Sequence, residues 1–239
     1  MTASVDNLLD TFLTEVDTAL IGSYSAVLYG SAVRGHYVAG HSDVNLMLVL
    51  DRVSPEALRS LSKAFAIWRK AKQPPPLLMS RAEWSRSADA FPIEITDMKN
   101  AYKVLRGTDP LKALQVNRRD LRRALEREFR GKLMRLRQGF VLCAGDPGDL
   151  AALARESARS LLVLLRSLVT LSGKPAPHDP VALVGAAAQA AGFDPTVLAL
   201  VAEHRASRGW RCSPQQFAAY LDTAEAAARF LDQLPSGER

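Results

Sequence analysis

Residues that could hold a metal ion and phosphate are concentrated in one segment, residues 27–50. The pattern predicts two buried strands joined by a polar, glycine-containing loop. Gly30-Ser31 ends the first strand, and Asp43 and Asn45 open the second. Because strand side chains alternate between faces, Asp43 and Asn45 are expected to point the same way. Two oxygen-bearing side chains beside a loop able to cradle phosphate suit Mg²⁺ and a nucleoside triphosphate.

The elements expected to position these residues alternate between helix and strand in the first half of the chain. Helical spacing of apolar residues predicts a first helix from Val5 to Leu20, and a second begins at Pro55 and ends near Lys72. Strands are predicted over 23–29, 43–50, 77–80 and 91–96, with an edge strand at 103–106.

Strand signals disappear beyond Leu111, and the second half of the chain reads as helices. These are predicted at 117–143, 149–171, 180–191, 195–206 and 214–234, separated by segments rich in glycine and proline. We therefore predict an α+β fold, with a mixed sheet and flanking helices over residues 1–110. An all-α helical bundle follows over residues 111–239.

The composition is that of a folded protein and favours an anionic ligand. The 239 residues include 48% hydrophobic residues, and the net charge of +6 gives a pI near 9.5, which suits a nucleotide or nucleic acid. Two cysteines, Cys143 and Cys212, form neither a disulfide framework nor a zinc site. The amino terminus is acidic without a long apolar run, and no segment can span a bilayer. We expect a cytosolic, reduced protein without a membrane partner.

The segment at 27–50 resembles the signature of the polymerase-β-like nucleotidyltransferases. In that superfamily a Gly-Ser pair precedes an Asp-x-Asp or Asp-x-Glu strand, as Gly30-Ser31 precedes Asp43-Val44-Asn45 after eleven intervening residues. A third carboxylate lies on a later strand, and Glu94 within FPIEIT matches it. A nucleotidyltransferase domain followed by helices also resembles the aminoglycoside and minimal bacterial nucleotidyltransferases.

The resemblance implies a role for each matching residue. Asp43, Asn45 and Glu94 would be ligands of Mg²⁺, and Asp43 and Glu94 would be catalytic, with Glu94 a ligand or the base for the acceptor hydroxyl. The nucleoside triphosphate would be the substrate or ligand. Its phosphates would be held by the remaining residues of the signature, Gly30, Ser31, Arg34 and Ser42.

Asn45 is the departure from the signature. Its carbonyl oxygen can ligate a cation but carries no charge, so the site has two carboxylates instead of three. Asp97 could compensate, although on a strand it would point to the face opposite Glu94. Two hypotheses stay open: an enzyme with a variant site, or a catalytically inactive module that binds a nucleotide or nucleic acid in the same cleft.

A basic stripe on the long predicted helix at 117–143 suggests a further partner. The arginines at i, i+4 and i+3 steps share one face and could follow a nucleic-acid backbone or simply face solvent. They are Arg119, Arg123, Arg127 and Arg130. His36 and His41, in the loop of the signature, lack a third ligand and are not expected to bind zinc. The sequence is also compatible with a homodimer.

Overall fold

The computed structural model describes residues 3–20, 22–38, 42–205, 207 and 209–234. The chain divides into two compact units, Met1–Gln115 and Val116–Arg239. The domain boundary expected after residue 110 stays a prediction, since a spatial division does not test independent folding. His41 and the carboxyl end of the helix predicted at 195–206 lie outside the described residues.

The first unit is built on a mixed four-stranded sheet. Its strands are β1 (Tyr24–Tyr29), β2 (Asn45–Leu50), β3 (Leu77–Ser80) and β4 (Tyr102–Arg106), in the order β3-β2-β1-β4. β1 runs antiparallel to both β2 and β4, whereas β2 and β3 are parallel. The sheet therefore brings the carboxyl end of β1 beside the amino end of β2.

In the described part of this unit, six helices accompany the sheet. They are α1 (Ala3–Ala19), α2 (Ser31–Arg34), α3 (Pro55–Ser60), α4 (Ser62–Lys70), α5 (Arg81–Trp84) and α6 (Pro92–Asn100). The apolar stripe of α1 is buried against the sheet and α4, where the rings of Phe12 and Trp68 meet edge to face at 4.8 Å. One helix predicted over 55–72 is two, because the chain turns at Leu61 between α3 and α4.

The strand predicted at 91–96 is wrong: Phe91 precedes helix α6, which begins at Pro92. Proline is well suited to the first turn of a helix, and the amide of Ile95 donates to the carbonyl of Phe91 in helical register. Ile93 and Ile95 are buried, whereas Glu94 between them is exposed. A short, largely buried segment shows the same apolar alternation as a strand, so periodicity alone could not separate the two.

The strand predicted from residue 43 begins two residues later, at Asn45. Asp43 and Val44 therefore precede the ladder, and the alternation of a strand does not fix where Asp43 points. The predicted edge strand is confirmed as β4, which pairs only with β1 in the sheet.

The second unit is helical, as predicted. It contains α7 (Arg118–Leu142), α8 (Pro147–Leu171), α9 (Pro180–Ala191), α10 (Thr196–His204) and α11 (Pro214–Gln233). α7 packs against α8 and α11, and stacked rings of Phe140 and Phe217, 5.5 Å apart, join α7 to α11. Among the described residues, no helix combines the length and apolar character needed to cross a membrane.

Candidate functional site

Gly30 makes the turn from β1 into the short helix α2. Its φ of 82° and ψ of −148° lie in a region that side-chain-bearing residues rarely adopt. Gly35, at φ 80°, ends the same helix. The loop predicted after the first strand thus starts with one helical turn, and Ser31 is its first residue.

Asn45 lies directly against Gly30. It pairs with Tyr29 across the antiparallel ladder, and a Cβ added to Gly30 would approach the Asn45 amide nitrogen to 2.8 Å. Glycine is therefore required at position 30 for close approach as well as for backbone conformation. The Gly30 turn and Asn45 are therefore in contact, while the roles of both in binding stay predictions.

Asp43 is half-buried in the segment that leads into β2. The next residue, Val44, is 1% exposed, and its amide donates to Oε1 of Gln73 at 2.8 Å. The backbone carrying Asp43 and Asn45 is thus held between the ladder on one side and a glutamine side chain on the other.

Glu94 and Asp97 lie on one side of α6, because residues three apart are neighbours on a helix. The expectation that they point to opposite faces of a strand is wrong for that reason. Glu94 is exposed, whereas Asp97 is 8% exposed. The pKa of the Tyr29 phenol is raised, first by burial and then by the negative charges of Asp97 and Glu94. Both acids therefore act on the carboxyl end of β1, where Tyr29 pairs with Asn45.

Arg34 forms a buried ion pair with Asp97. Its Nη2 lies 2.8 Å from the Asp97 carboxylate and donates to the Asp97 carbonyl at 3.0 Å; the two side chains are 7% and 12% exposed. The Arg34 Nε is also buried and has no hydrogen-bond partner among the described residues. Arg34 is thus not a solvated loop residue, and its charge is matched by Asp97 before any phosphate arrives.

The two serines predicted to hold phosphate have different surroundings. The Ser31 carbonyl accepts from the amides of Gly35 and His36. The Ser42 hydroxyl accepts from the Val38 amide at 3.0 Å, and the Ser42 amide donates back to the Val38 carbonyl. Ser42 is thereby bonded to Val38 in both directions, and one of the two lone pairs of its hydroxyl is already used.

The donor atoms available to a cation are all oxygens. Asp43, Asn45 and Glu94 supply carboxylate and amide oxygens, which fit a hard cation such as Mg²⁺, although the set carries two negative charges. Within the described ranges no group of three histidine, cysteine, aspartate or glutamate side chains could hold a metal ion. Asn45 would therefore have to act as the third oxygen donor.

Sequence reasoning missed three contributors to this region: Tyr29, Gln73 and the pairing of Arg34 with Asp97. The spacing of Glu94 and Asp97 was the available signal, because an i, i+3 pair of acids shares a face once the segment is read as a helix. Gln73 gave no local signal, since its contact spans 29 positions along the chain.

The arginine stripe of α7 is exposed at all four predicted positions. Arg130 pairs with Asp232 at 2.8 Å and with Glu126 at 3.3 Å, and Arg127 approaches Glu128 at 3.6 Å. Part of the positive charge of the stripe is therefore neutralised within the second unit.

Comparison with known proteins identifies the architecture. The sequence matches no protein-family model, and no curated protein matches it significantly. Among solved structures it is similar to spectinomycin adenyltransferase AAD(9) from Enterococcus faecialis, whose crystal structure contains ATP and spectinomycin. The two chains share 16% identity with a TM-score of 0.57, over 98% of this chain and 100% of that chain. The chain therefore has the α+β nucleotidyltransferase-type fold that Gly30-Ser31 and Asp43-Val44-Asn45 predict, followed by a helical second half.

Proposed function

We propose that this protein transfers a nucleoside monophosphate from a nucleoside triphosphate to an acceptor hydroxyl. One observation supports the proposal: Gly30 and Asn45 meet where β1 ends and β2 begins, and the ion pair of Arg34 with Asp97 ties the acid-bearing helix α6 to helix α2, which follows Gly30. Asn45 packs on Gly30, and both Glu94 and Asp97 act on Tyr29, the ladder partner of Asn45. The fold shared with an adenyltransferase solved with ATP supports a nucleotide as the ligand.

The signature residues have complementary roles in this proposal. Gly30 lets the triphosphate approach the backbone closely, and the hydroxyls of Ser31 and Ser42 contribute hydrogen bonds to it. Arg34 contacts a phosphate only if Asp97 releases part of its guanidinium, because the ion pair engages Nη2 and the unpartnered Nε is itself buried.

Asp43, Asn45 and Glu94 would hold Mg²⁺. When bound, the ion would neutralise charge on the phosphates of the substrate. The acceptor oxygen forms a bond to the α-phosphorus, the bond to pyrophosphate breaks, and the acceptor proton passes to Glu94. Glu94 suits that step because its carboxylate is exposed, whereas Asp97 is buried against Arg34.

The alternative function is a catalytically inactive module that binds a nucleotide in the same cleft. Two observations favour it: Asn45 contributes no charge, and Asp97 is engaged by Arg34 instead of replacing the missing carboxylate. Two carboxylates hold a second cation weakly, and weak occupancy would slow transfer or prevent it.

Calorimetry with each of the four nucleoside triphosphates, with and without Mg²⁺, tests binding first. We expect at least one metal-dependent interaction, and Asp43→Ala should abolish it. Asp89→Ala, which removes an exposed carboxylate from the same unit, is the control and should bind as the wild type does. If the wild type binds none of the four triphosphates, both the transferase and the nucleotide-binding module are excluded.

Asn45→Asp separates the enzyme from the inactive module. Transfer is measured as pyrophosphate release with ATP, starting with spectinomycin as the acceptor because the structural neighbour was solved with both. Activity that appears only in Asn45→Asp identifies a degenerate site. If the wild type is active, if Asp43→Ala removes that activity and if Asn45→Asp changes it little, the native protein is an enzyme. Asn7→Asp adds the same charge at an exposed position and should change neither result.

Further partners are secondary proposals. Nucleic acid would bind through Arg119, Arg123 and Arg127, which are exposed. Binding of single-stranded RNA that weakens steeply with salt, and that reversal of these charges removes, would support this. A homodimer and a cytosolic location also stay predictions.

A further inference from the structure

The segment that carries Asp43 and Asn45 pairs with β1 through Asn45, but the ladder with β3 does not reach it. The ladder between β2 and β3 begins at the pair Met47 and Leu77. The three residues before β3 are Pro74, Pro75 and Pro76, so the chain that would have to extend β3 toward Asp43 consists of prolines. Proline has no N–H, so β3 offers β2 no backbone donors over this stretch.

Gln73 restores one connection just before the prolines. Its Oε1 accepts from the amide of Val44 at 2.8 Å, four residues before the first pair of the β2–β3 ladder along its own segment. Val44 is the residue between Asp43 and Asn45, and it is buried. On the side away from β1, this contact therefore holds the backbone from which both predicted ligands project.

The loop around Gln73 is itself firmly built. Lys72 adopts a φ of 55°, which turns the chain sharply after α4, and its amide donates to the Arg69 carbonyl. The indole of Trp68, itself 1% exposed, donates to the Pro74 carbonyl at 2.6 Å. Gln73 thus projects from a backbone held on both sides, so only its side chain has to be ordered when it bonds Val44.

We infer that Gln73 is a positioning residue for the Asp43-Val44-Asn45 segment, an inference that rests on the proposed function. It touches neither phosphate nor acceptor. By holding the Val44 amide it sets the spacing of the Asp43 carboxylate and the Asn45 amide, and so their joint fit to a cation. With two carboxylates in the ligand set, accurate placement of both groups matters more for affinity.

The test replaces the acceptor oxygen without removing bulk. Gln73 borders an open cavity of about 640 Å³ that is also lined by Phe65, Arg69, Lys72 and Pro75, so Gln73→Met leaves no void in the core. Two measurements are made well below the thermal midpoint. They are hydrogen exchange at the Val44 amide and calorimetric affinity for ATP with and without Mg²⁺.

We expect Gln73→Met to speed exchange at Val44 and to weaken Mg²⁺-dependent ATP binding, each by about five- to tenfold, the value of one hydrogen bond. Gln73→Glu keeps an acceptor oxygen and should bind no more weakly than the wild type. Gln73→Asn, one methylene shorter, should reproduce the losses and serves if the methionine variant does not fold. Gln138→Met, the same replacement at an exposed position of α7, is the control.

Three results overturn the inference. If hydrogen exchange at the Val44 amide is unchanged in Gln73→Met, the hydrogen bond from Val44 to Gln73 does not protect that amide. If exchange is faster but the Mg²⁺-dependent affinity for ATP is unchanged, the hydrogen bond exists but does not position the ligands. The proposed function stands in that case. A wild type that binds no triphosphate overturns the proposed function and the role of Gln73 with it.

Discussion

The guanidinium of Arg34 and the carboxylate of Asp97 form a buried ion pair at 2.8 Å that joins helix α2 to helix α6. The two residues are 63 positions apart. Arg34 is itself predicted to hold phosphate, and Asp97 lies one helical turn after the predicted ligand Glu94. The pair thus fixes helix α2, which follows the Gly30 turn, relative to helix α6, which carries Glu94. It also assigns Asp97 to a structural role and leaves Glu94 as the exposed acid of α6.

Removing one partner of this pair should destabilise the first unit strongly. Arg34→Met leaves the Asp97 carboxylate buried without its cation, and we expect the free energy of unfolding to fall by about 3 kcal/mol. Asp97→Asn should cost a similar amount, whereas the double variant should recover part of the loss. Urea denaturation of the four proteins gives the coupling energy.

Arg59→Met supplies the comparison for this pair. It breaks the pair with Glu56, in which both side chains are 74% exposed, and should cost less than about 1 kcal/mol. Strictly additive effects of Arg34→Met and Asp97→Asn would contradict a direct interaction.

Gly30→Ala should disturb both the backbone and Asn45. The φ and ψ of Gly30 disfavour any side chain, and the added Cβ would meet the Asn45 amide at 2.8 Å. We expect a loss of about 2–3 kcal/mol in unfolding free energy together with weaker triphosphate binding. Gly35→Ala tests positive φ alone, because nothing lies within 4 Å of its added Cβ. It should cost on the order of 1 kcal/mol. Equal effects of the two substitutions would show that the contact with Asn45 is unimportant.

The Tyr29 phenol should report the acids of α6 through its titration. Because its folded pKa is raised above the ordinary value of 10.0, folding keeps the phenol protonated where the unfolded chain ionises. The contribution of the Tyr29 phenol to the free energy of unfolding is complete below the ordinary pKa and is lost as pH rises through the folded pKa. Ultraviolet phenolate absorbance, with Tyr29→Phe subtracted, isolates the residue.

Glu94→Gln tests the electrostatic part of this shift. Loss of one negative charge should move the Tyr29 pKa downward, toward its ordinary value, while burial keeps it raised. Glu83→Gln, at an exposed acid of α5, is the control. An unchanged Tyr29 titration in Glu94→Gln would place Glu94 outside the electrostatic reach of the β1 end and would weaken its proposed catalytic role.

Asp51 should contribute to stability above its protonation range. Arg81 donates to it at 2.6 Å and Ser23 at 2.9 Å, and these hydrogen bonds, led by that of Arg81, lower its pKa below the ordinary 3.8. The stabilisation is present at neutral pH and is lost as pH falls through the folded pKa. Urea midpoints of the wild type and Asp51→Asn should differ at neutral pH and converge in acid, and added salt should shrink the difference because the pair is exposed. A difference that persists through the acid range would assign the effect to packing.

Much of the fold is local information and could be read from the sequence. Apolar periodicity and the glycine and proline breaks predict most helices and strands of both halves, and the Gly30-Ser31 turn beside Asn45 follows from the signature alone. Helix α6 was not predicted from the sequence at 91–96, because a short buried helix and a short buried strand can have the same apolar alternation. Pro92 decided between them, since it favours the first turn of a helix.

The sequence by itself determined the identity of the candidate ligands, the missing charge at Asn45 and the fold class. Tertiary structure alone decided which acid of α6 is exposed, because Arg34 pairs with Asp97 across 63 residues. It also decided what supports the backbone next to Asp43, because Gln73 accepts from the Val44 amide across 29 residues. Residue type and spacing limit what a side chain can do chemically. Pairing between distant segments depends on how the whole chain packs, and no local pattern encodes it.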